Sequence, residues 1–429
     1  MKYLAHLSGI TLAVIVLGLS MPYGVPLVSC LLMLQVFLGV SIAITTKKIP
    51  NVFLPRELVL VIFFAVFFIL WGSFLSRALY GEVRVDLSNI LSLAIASPFF
   101  LAIIQSNCFS YLRGTFVRSC AWGGFLVSLV CLYKFKLLLS GEQFWWVEIW
   151  LGNKPYPWGT SLQPDYNMCA LGLTISLLCL IKGFLDCPSL MGKFLRFSSA
   201  LIVLISVVLT GSRRGAVVLL MFAVVGLLYG FYRFINGFLV QKLNAMSFKG
   251  LMAGFLVLFT IFGTGMLWKG FGMDYLQGGE FRRLMRRFDT MRHFGATLIK
   301  SRSDPLEVGL KTAQRSSPQA FLIGGGFDYL STMSPSSMEV YPHNPLVSAL
   351  LYGGLPALFF TLYVLLRGLF IWVRLFVEER LLAVVFFVLN LFCFISSNSY
   401  FSIKLGCFML AIGMILVHNK KLSIQGNKQ

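Results

Sequence analysis

Two adjacent arginines, Arg213 and Arg214, stand between two apolar stretches that are each suited to a lipid bilayer. Charged side chains are costly at such a boundary, so their presence there indicates a function. A guanidinium is always charged, and its fork of N–H donors matches phosphate oxygens better than an ammonium does. The turn at residues 211–215, with the sequence Gly-Ser-Arg-Arg-Gly, is therefore a candidate binding site for a lipid-linked phosphate.

His343 is a second candidate, and it lies in the sequence Tyr-Pro-His-Asn-Pro at residues 341–345. The two prolines constrain the backbone on both sides of the histidine. A histidine titrates near neutral pH, so it can accept a proton from a sugar hydroxyl. The alternative is a histidine that begins a helix and bonds to the backbone, and the spacing leaves both interpretations open.

No pattern typical of a metal site occurs in the sequence, which has neither His-Glu-x-x-His nor Asp-x-Asp. We therefore predict that the protein uses no metal and no cofactor. A diphosphate leaving group would then need cationic side chains to neutralise its developing charge, and Arg213, Arg214 and Arg302 could supply them. The glycine run at 324–326 lacks the strand and helix of a nucleotide-binding loop, so we interpret it as a flexible turn.

The composition predicts an all-α polytopic membrane protein. Of the 429 residues, 58% are hydrophobic and 12% are charged, and the mean hydropathy is +0.82, whereas a soluble domain has about 25% charged residues. The net charge of +20 does not indicate nucleic-acid binding, because the basic residues occur in loops between apolar stretches. The nine cysteines form no Cys-x-x-Cys pair and are expected to be buried, inert thiols.

A length of about 20 apolar residues per membrane helix predicts about twelve spans. Their predicted bounds are 4–20, 25–44, 57–75, 87–104, 119–135, 166–181, 198–211, 215–232, 250–268, 345–366, 381–397 and 401–417. Residues 1–268 carry the first nine spans, 269–344 form the main outer loop, and 345–429 carry the last three spans and a tail. The first span lacks a cleavage site and is expected to be retained.

The short loops on one side of these spans are rich in lysine and arginine, so that side is predicted to be cytoplasmic and to hold both termini. The segments 136–165 and 269–344 then lie outside. The first is rich in tryptophan and tyrosine, which favours either an interfacial re-entrant loop or a sugar-stacking surface. The second contains, at 281–291, an amphipathic pattern with a basic face suited to lying on a membrane surface.

In this order, four segments resemble the O-antigen ligase and polymerase superfamily of bacterial membrane glycosyltransferases. Residues 163–167 resemble the Asp/Pro/Asn start of one of its helices, and 212–215 resemble its Ser-Arg segment. Arg302, followed by the glycines at 324–326, resembles a third motif, with Leu306 in place of the usual tryptophan. His343 and Asn344, followed by Gly354, resemble the His-Asn motif. The resemblance covers about residues 160–366.

The resemblance implies a GT-C-like glycosyltransferase of the bacterial inner membrane with its active site facing the periplasm. It implies a glycan donor on undecaprenyl diphosphate, an acceptor sugar on the lipid A-core, and no metal. The roles that it implies are a general base at His343, diphosphate binding by Arg302 and by Arg213 or Arg214, and supporting positions at Asn344, Asp165 and Asn167.

Three alternatives remain open at this stage. A polymerase that joins lipid-linked repeat units, or a protein glycosyltransferase, would use the same residues. A single dominant outer loop favours the ligase, whereas the aromatic segment 136–165 keeps the polymerase open. A transporter of lipid-linked sugars belongs to another class, and it is disfavoured because the ionisable residues, except Lys404, cluster at the outer boundary.

The enzyme hypothesis also requires that His343 and the arginine turn lie within about 15 Å of each other.

Overall fold

The computed structural model describes residues 2–18, 20–22, 109–151, 156–212 and 318–325, with most of 346–363 and separate positions between 31 and 78. These residues are mainly helical, and no strand occurs among them. The chain divides into two compact units. One comprises residues 2–31 and 110–292, and the other comprises residue 1, 32–109 and 293–429.

Six helices have both ends defined. They are α1 (Lys2–Gly18), α2 (Phe109–Leu139), α3 (Trp145–Leu151), α4 (Tyr166–Asp186), α5 (Leu190–Leu209) and α6 (Pro318–Ile323). Within the described ranges, three stretches are long and apolar enough to cross a membrane, namely Tyr111–Leu139, Tyr166–Phe184 and Leu190–Leu209. By length and composition they agree with the predicted helical membrane protein. Helix α1 has 17 residues, the lower end of the usual length of a span.

Two helices extend beyond the spans predicted for them. Helix α2 comprises Phe109–Leu139, whereas the predicted span was 119–135. Helix α5 comprises Leu190–Leu209, whereas the predicted span was 198–211. The basic residues Lys193 and Arg196 led the prediction to begin that span at 198, but a long basic side chain can find partners without leaving the helix. Arg196 does so by donating from Nη1 to the Gly183 carbonyl at 2.6 Å.

Helices α4 and α5 form a tight antiparallel hairpin. The connection comprises only residues 187–189, and the Ser189 side chain caps α5 by accepting from the Gly192 amide at 3.1 Å. A serine at this position satisfies one of the free amides at a helix start. Because the turn is so short, the first residue of α4 and the last residue of α5 must lie at the same end of the hairpin.

Small residues let the helices of this unit approach closely, as is typical of helix packing in membranes. A Cβ added to Gly9 of α1 would lie 2.6 Å from the Leu112 carbonyl oxygen of α2. A Cβ added to Gly124 of α2 would lie 2.1 Å from Ser176 Cβ of α4. Helices α1 and α4 therefore both approach α2 closely at glycines.

Candidate functional site

The structure describes Asp165 and Asn167 among the predicted site residues, together with Ser212, which precedes the arginine pair. Arg213, Arg214, Arg302, His343 and Asn344 lie outside the described residues, as do the predicted amphipathic helix at 281–291 and the remaining spans. The roles implied for these residues stay predictions.

Asp165 begins α4. Its Oδ1 accepts hydrogen bonds from the amides of Asn167 at 3.0 Å and Met168 at 3.4 Å. An aspartate at the N-cap satisfies amides that have no partner within the helix, and its charge is favourable at the positive end of the helix dipole. The polar sequence at 163–167 therefore does begin a membrane helix, as predicted, and the carboxylate of Asp165 is used by the backbone of that helix.

Asn167 joins this helix start to the end of α5. The Ser212 hydroxyl donates to Asn167 Oδ1 at 3.0 Å, and Ser212 is 2% exposed. The Ser212 amide in turn donates to Thr210 Oγ1 at 3.2 Å, while Gly211 has φ +68°, the left-handed conformation in which helices commonly end. Two segments that the sequence singled out separately are thus held together, and residue 213 follows directly from this contact.

The segment before α4 is packed into the same end of the hairpin. The Thr160 hydroxyl donates to the Ser206 carbonyl at 2.6 Å, and the Thr160 amide donates to the Leu209 carbonyl at 3.2 Å. Gly159 approaches so closely that a Cβ would lie 2.1 Å from the Leu209 oxygen, and its φ is +49°. This segment is therefore seated on the last turn of α5, beside the Asn167–Ser212 contact.

A buried lysine of α2 binds the segment that precedes α4. Lys134 of α2 is 0% exposed, and its ammonium donates to the carbonyl oxygens of Pro157 at 2.5 Å and Gly159 at 2.8 Å. The same nitrogen lies 4.8 Å from the centre of the Tyr156 ring. Sequence analysis missed Lys134, although a signal was available, because a lysine inside a predicted span marks a functional or structural site.

The aromatic segment forms α3, which has a buried side and an exposed apolar side. Val147 is fully buried, whereas Trp145 is 65% and Ile149 68% exposed. The Tyr156 hydroxyl accepts from the Phe144 amide at 2.8 Å. Burial raises the pKa of Tyr156, and this hydrogen bond opposes the shift. An exposed Trp/Ile face suits the membrane interface, which favours the interfacial interpretation, while sugar stacking stays a prediction.

In the other unit, the glycines of the third and fourth motifs also meet. The Gly325 amide donates to the Leu351 carbonyl at 2.9 Å, and Gly324 has φ +86°. Gly354 has φ +69°, and a Cβ there would lie 2.3 Å from the Leu322 carbonyl oxygen. The glycine run was expected to be a flexible turn. Its first two residues are buried and held by this packing, whereas Gly326 lies outside the described residues.

Comparison of the chain with protein-family models, with curated proteins and with solved structures finds no match. In the described residues, the start of α4, the end of α5 and the segment at 156–163 form a hydrogen-bonded junction. Two consecutive arginines follow this junction in the sequence.

Proposed function

We propose that this chain is a metal-independent glycosyltransferase of the bacterial inner membrane. It transfers a glycan from undecaprenyl diphosphate to an acceptor sugar of the lipid A-core, as an O-antigen ligase does, on a GT-C-like framework of about twelve spans. The observation that carries the proposal is the hydrogen bond from Ser212 to Asn167. It joins the first two of the four segments on which the resemblance rests.

A phosphate-binding role for the arginine turn follows from that junction. Ser212 is buried and bonded on both its hydroxyl and its amide, so the backbone enters residue 213 in one defined direction. Preorganised cations stabilise developing negative charge far better than freely moving ones, because no reorganisation is needed during the reaction. Arg213 and Arg214 are thereby suited to receive a diphosphate from the adjacent bilayer, together with Arg302.

The charge distribution around the α4–α5 hairpin supports a periplasmic site. Lys182, Lys193 and Arg196 lie near its short turn, whereas Asn167 and Ser212 lie at the opposite end. Basic residues near the ends of spans favour the cytoplasmic side. In the proposed orientation the junction lies on the periplasmic side, where undecaprenyl-linked glycans meet lipid A-core.

His343 completes the proposed reaction as the general base, which takes the proton from the attacking acceptor hydroxyl as the bond between sugar and diphosphate breaks. The diphosphate leaves with its negative charge neutralised by the arginines. Asn344 supports the histidine, and Asn167 supports the arginine turn through Ser212.

The test is the lipopolysaccharide of a strain that lacks this protein, complemented with wild type, His343→Ala, the Arg213→Ala/Arg214→Ala pair, or Lys136→Ala. Lys136 is an exposed lysine of α2 and serves as the matched control. We expect core-only lipopolysaccharide and undecaprenyl-linked glycan in the deletion strain, with rescue by wild type and Lys136→Ala only.

Two results would overturn this proposal. A core that carries a single repeat in the deletion strain would show a polymerase. An unchanged banding pattern would show that the protein serves another acceptor or another process. Membrane levels of every variant are measured in the same samples, so that loss of rescue is attributed to chemistry only where the protein is present.

A further inference from the structure

Lys134 is a cation enclosed within a membrane-spanning helix. It belongs to Tyr111–Leu139, and within the described part of the chain it is the one basic side chain with no exposed surface. A lysine in such a place is expensive unless its charge is compensated. The observed compensation includes two main-chain carbonyls and an aromatic ring, which belong to residues 156–159.

These partners are unusual because they belong to an irregular segment, whose carbonyls have no helical partners of their own. Pro157 and Gly159 are buried, so their oxygens need donors to avoid an unpaired polar group. Lys134 supplies both donors from one atom. Removing it leaves two buried carbonyls unsatisfied, and an apolar replacement of similar length cannot restore either bond.

The segment held by Lys134 is continuous with the arginine junction. Thr160, directly after Gly159, bonds to Ser206 and Leu209 at the end of α5. A few residues later the chain reaches Asn167, which accepts from Ser212. A shift of the segment at 156–160 would therefore act on the end of α5 and on the helix start that together orient residue 213.

We propose that Lys134 is a positioning residue, which locks the segment at 156–160 onto the end of α5 and so holds the Asn167–Ser212 junction in place. Its importance for turnover rests on the proposed function, whereas its effect on the conformation of the junction does not. Lys134 itself touches no substrate, because its nitrogen is enclosed by protein.

The experiment compares full-length wild type, Lys134→Met and Lys136→Met by hydrogen–deuterium exchange in detergent. The amides to follow are those of Thr160, Ser161 and Ser212. In Lys134→Met we expect exchange at least about tenfold faster, since each lost hydrogen bond from a charged donor is worth a factor of about ten or more. Lys136→Met should exchange as wild type does. Unchanged exchange in Lys134→Met would overturn the proposal.

Two further variants separate positioning from simple stabilisation. Lys134→Arg keeps a cation that can donate to both carbonyls, and it should restore most of the protection. Lys134→Gln retains a neutral donor and should give an intermediate rate. If Lys134→Met does not yield folded protein, Lys134→Gln replaces it in the comparison. An exchange rate in Lys134→Gln equal to that of the wild type would then count against the proposal.

Turnover is measured for Lys134→Met, Ser212→Ala and the double variant with an undecaprenyl-diphosphate-linked glycan and lipid A-core. If Lys134 acts through the junction, the double variant should lose much less than the product of the two single losses. Multiplicative losses would overturn the positioning role. If the wild type shows no turnover, the proposed function fails. The positioning role of Lys134 is then decided only by whether the Ser212 amide exchanges faster in Lys134→Met than in the wild type.

Discussion

Replacing Gly159 with alanine tests how tightly the segment before α4 is seated on α5. Gly159 has φ +49°, and an added Cβ would lie 2.1 Å from the carbonyl oxygen of Leu209, which is backbone and cannot rotate away. Gly141 provides a matched control, because its φ is +79° and an added Cβ would meet nothing within 4 Å. Both substitutions place an alanine at a positive φ and carry a similar backbone cost, but only Gly159→Ala creates a clash.

The expected magnitudes follow from these two terms. A left-handed conformation costs a non-glycine residue about 1–2 kcal/mol, and this applies to both variants. Forcing an extra methyl into a packed site costs about 1–3 kcal/mol more, and this applies to Gly159→Ala alone. The free energy of unfolding should therefore be lower in Gly159→Ala than in Gly141→Ala by about 1–3 kcal/mol.

The assay is thermal unfolding of the purified, full-length variants in one detergent, followed by the loss of monodisperse protein. A difference of 1 kcal/mol corresponds to about 2 °C in a large protein, so the two midpoints should differ by about 2–6 °C. Equal midpoints for Gly159→Ala and Gly141→Ala would refute the close approach to Leu209. In that case the segment at 156–160 would not be tightly packed on the end of α5.

Three further sets of substitutions test separate contacts. Asp165→Ala should destabilise the start of α4 by about 1 kcal/mol, with Asp165→Asn close to wild type, as measured by amide exchange in the first turn. Single and double alanine variants of Asn167 and Ser212 should show a coupling of about 0.5–1.5 kcal/mol in thermal unfolding, and strict additivity would contradict the observed bond. Gly354→Ala should lower the unfolding midpoint, because its Cβ would lie 2.3 Å from a carbonyl oxygen, whereas Gly114→Ala, whose Cβ meets only Arg118 at 3.9 Å, should not.

The start of α4 was predictable because its signals are local. An aspartate directly before an apolar stretch bonds to amides two and three residues later, whatever the rest of the chain does. The start of α5 carries a similar local signal in its N-cap, Ser189. Lys193 and Arg196 nevertheless led the prediction to begin the span at 198, because the sequence does not show that α4 offers the Gly183 carbonyl to Arg196.

The candidate site residues show the same difference between local signals and long-range contacts. Sequence patterns alone identified 163–167 and 211–215 as separate polar interruptions between apolar stretches. Their meeting required the turn at 187–189, which brings residues 45 positions apart into one hydrogen bond. The place of Lys134 inside a predicted span was a signal that it has a role, but its partners are carbonyls, which every residue possesses, so no side-chain pattern identifies them.

By itself, the sequence determined that this is a helical membrane protein and where its arginines and His343 stand relative to the apolar stretches. Those properties depend on the length and polarity of local segments, because these decide whether a helix can span a bilayer. Only the tertiary structure decided that Asn167 holds Ser212 and that Lys134 holds the segment at 156–160. Such contacts depend on which helix ends meet and on the direction of main-chain carbonyls, and both are set by packing between residues distant in the chain.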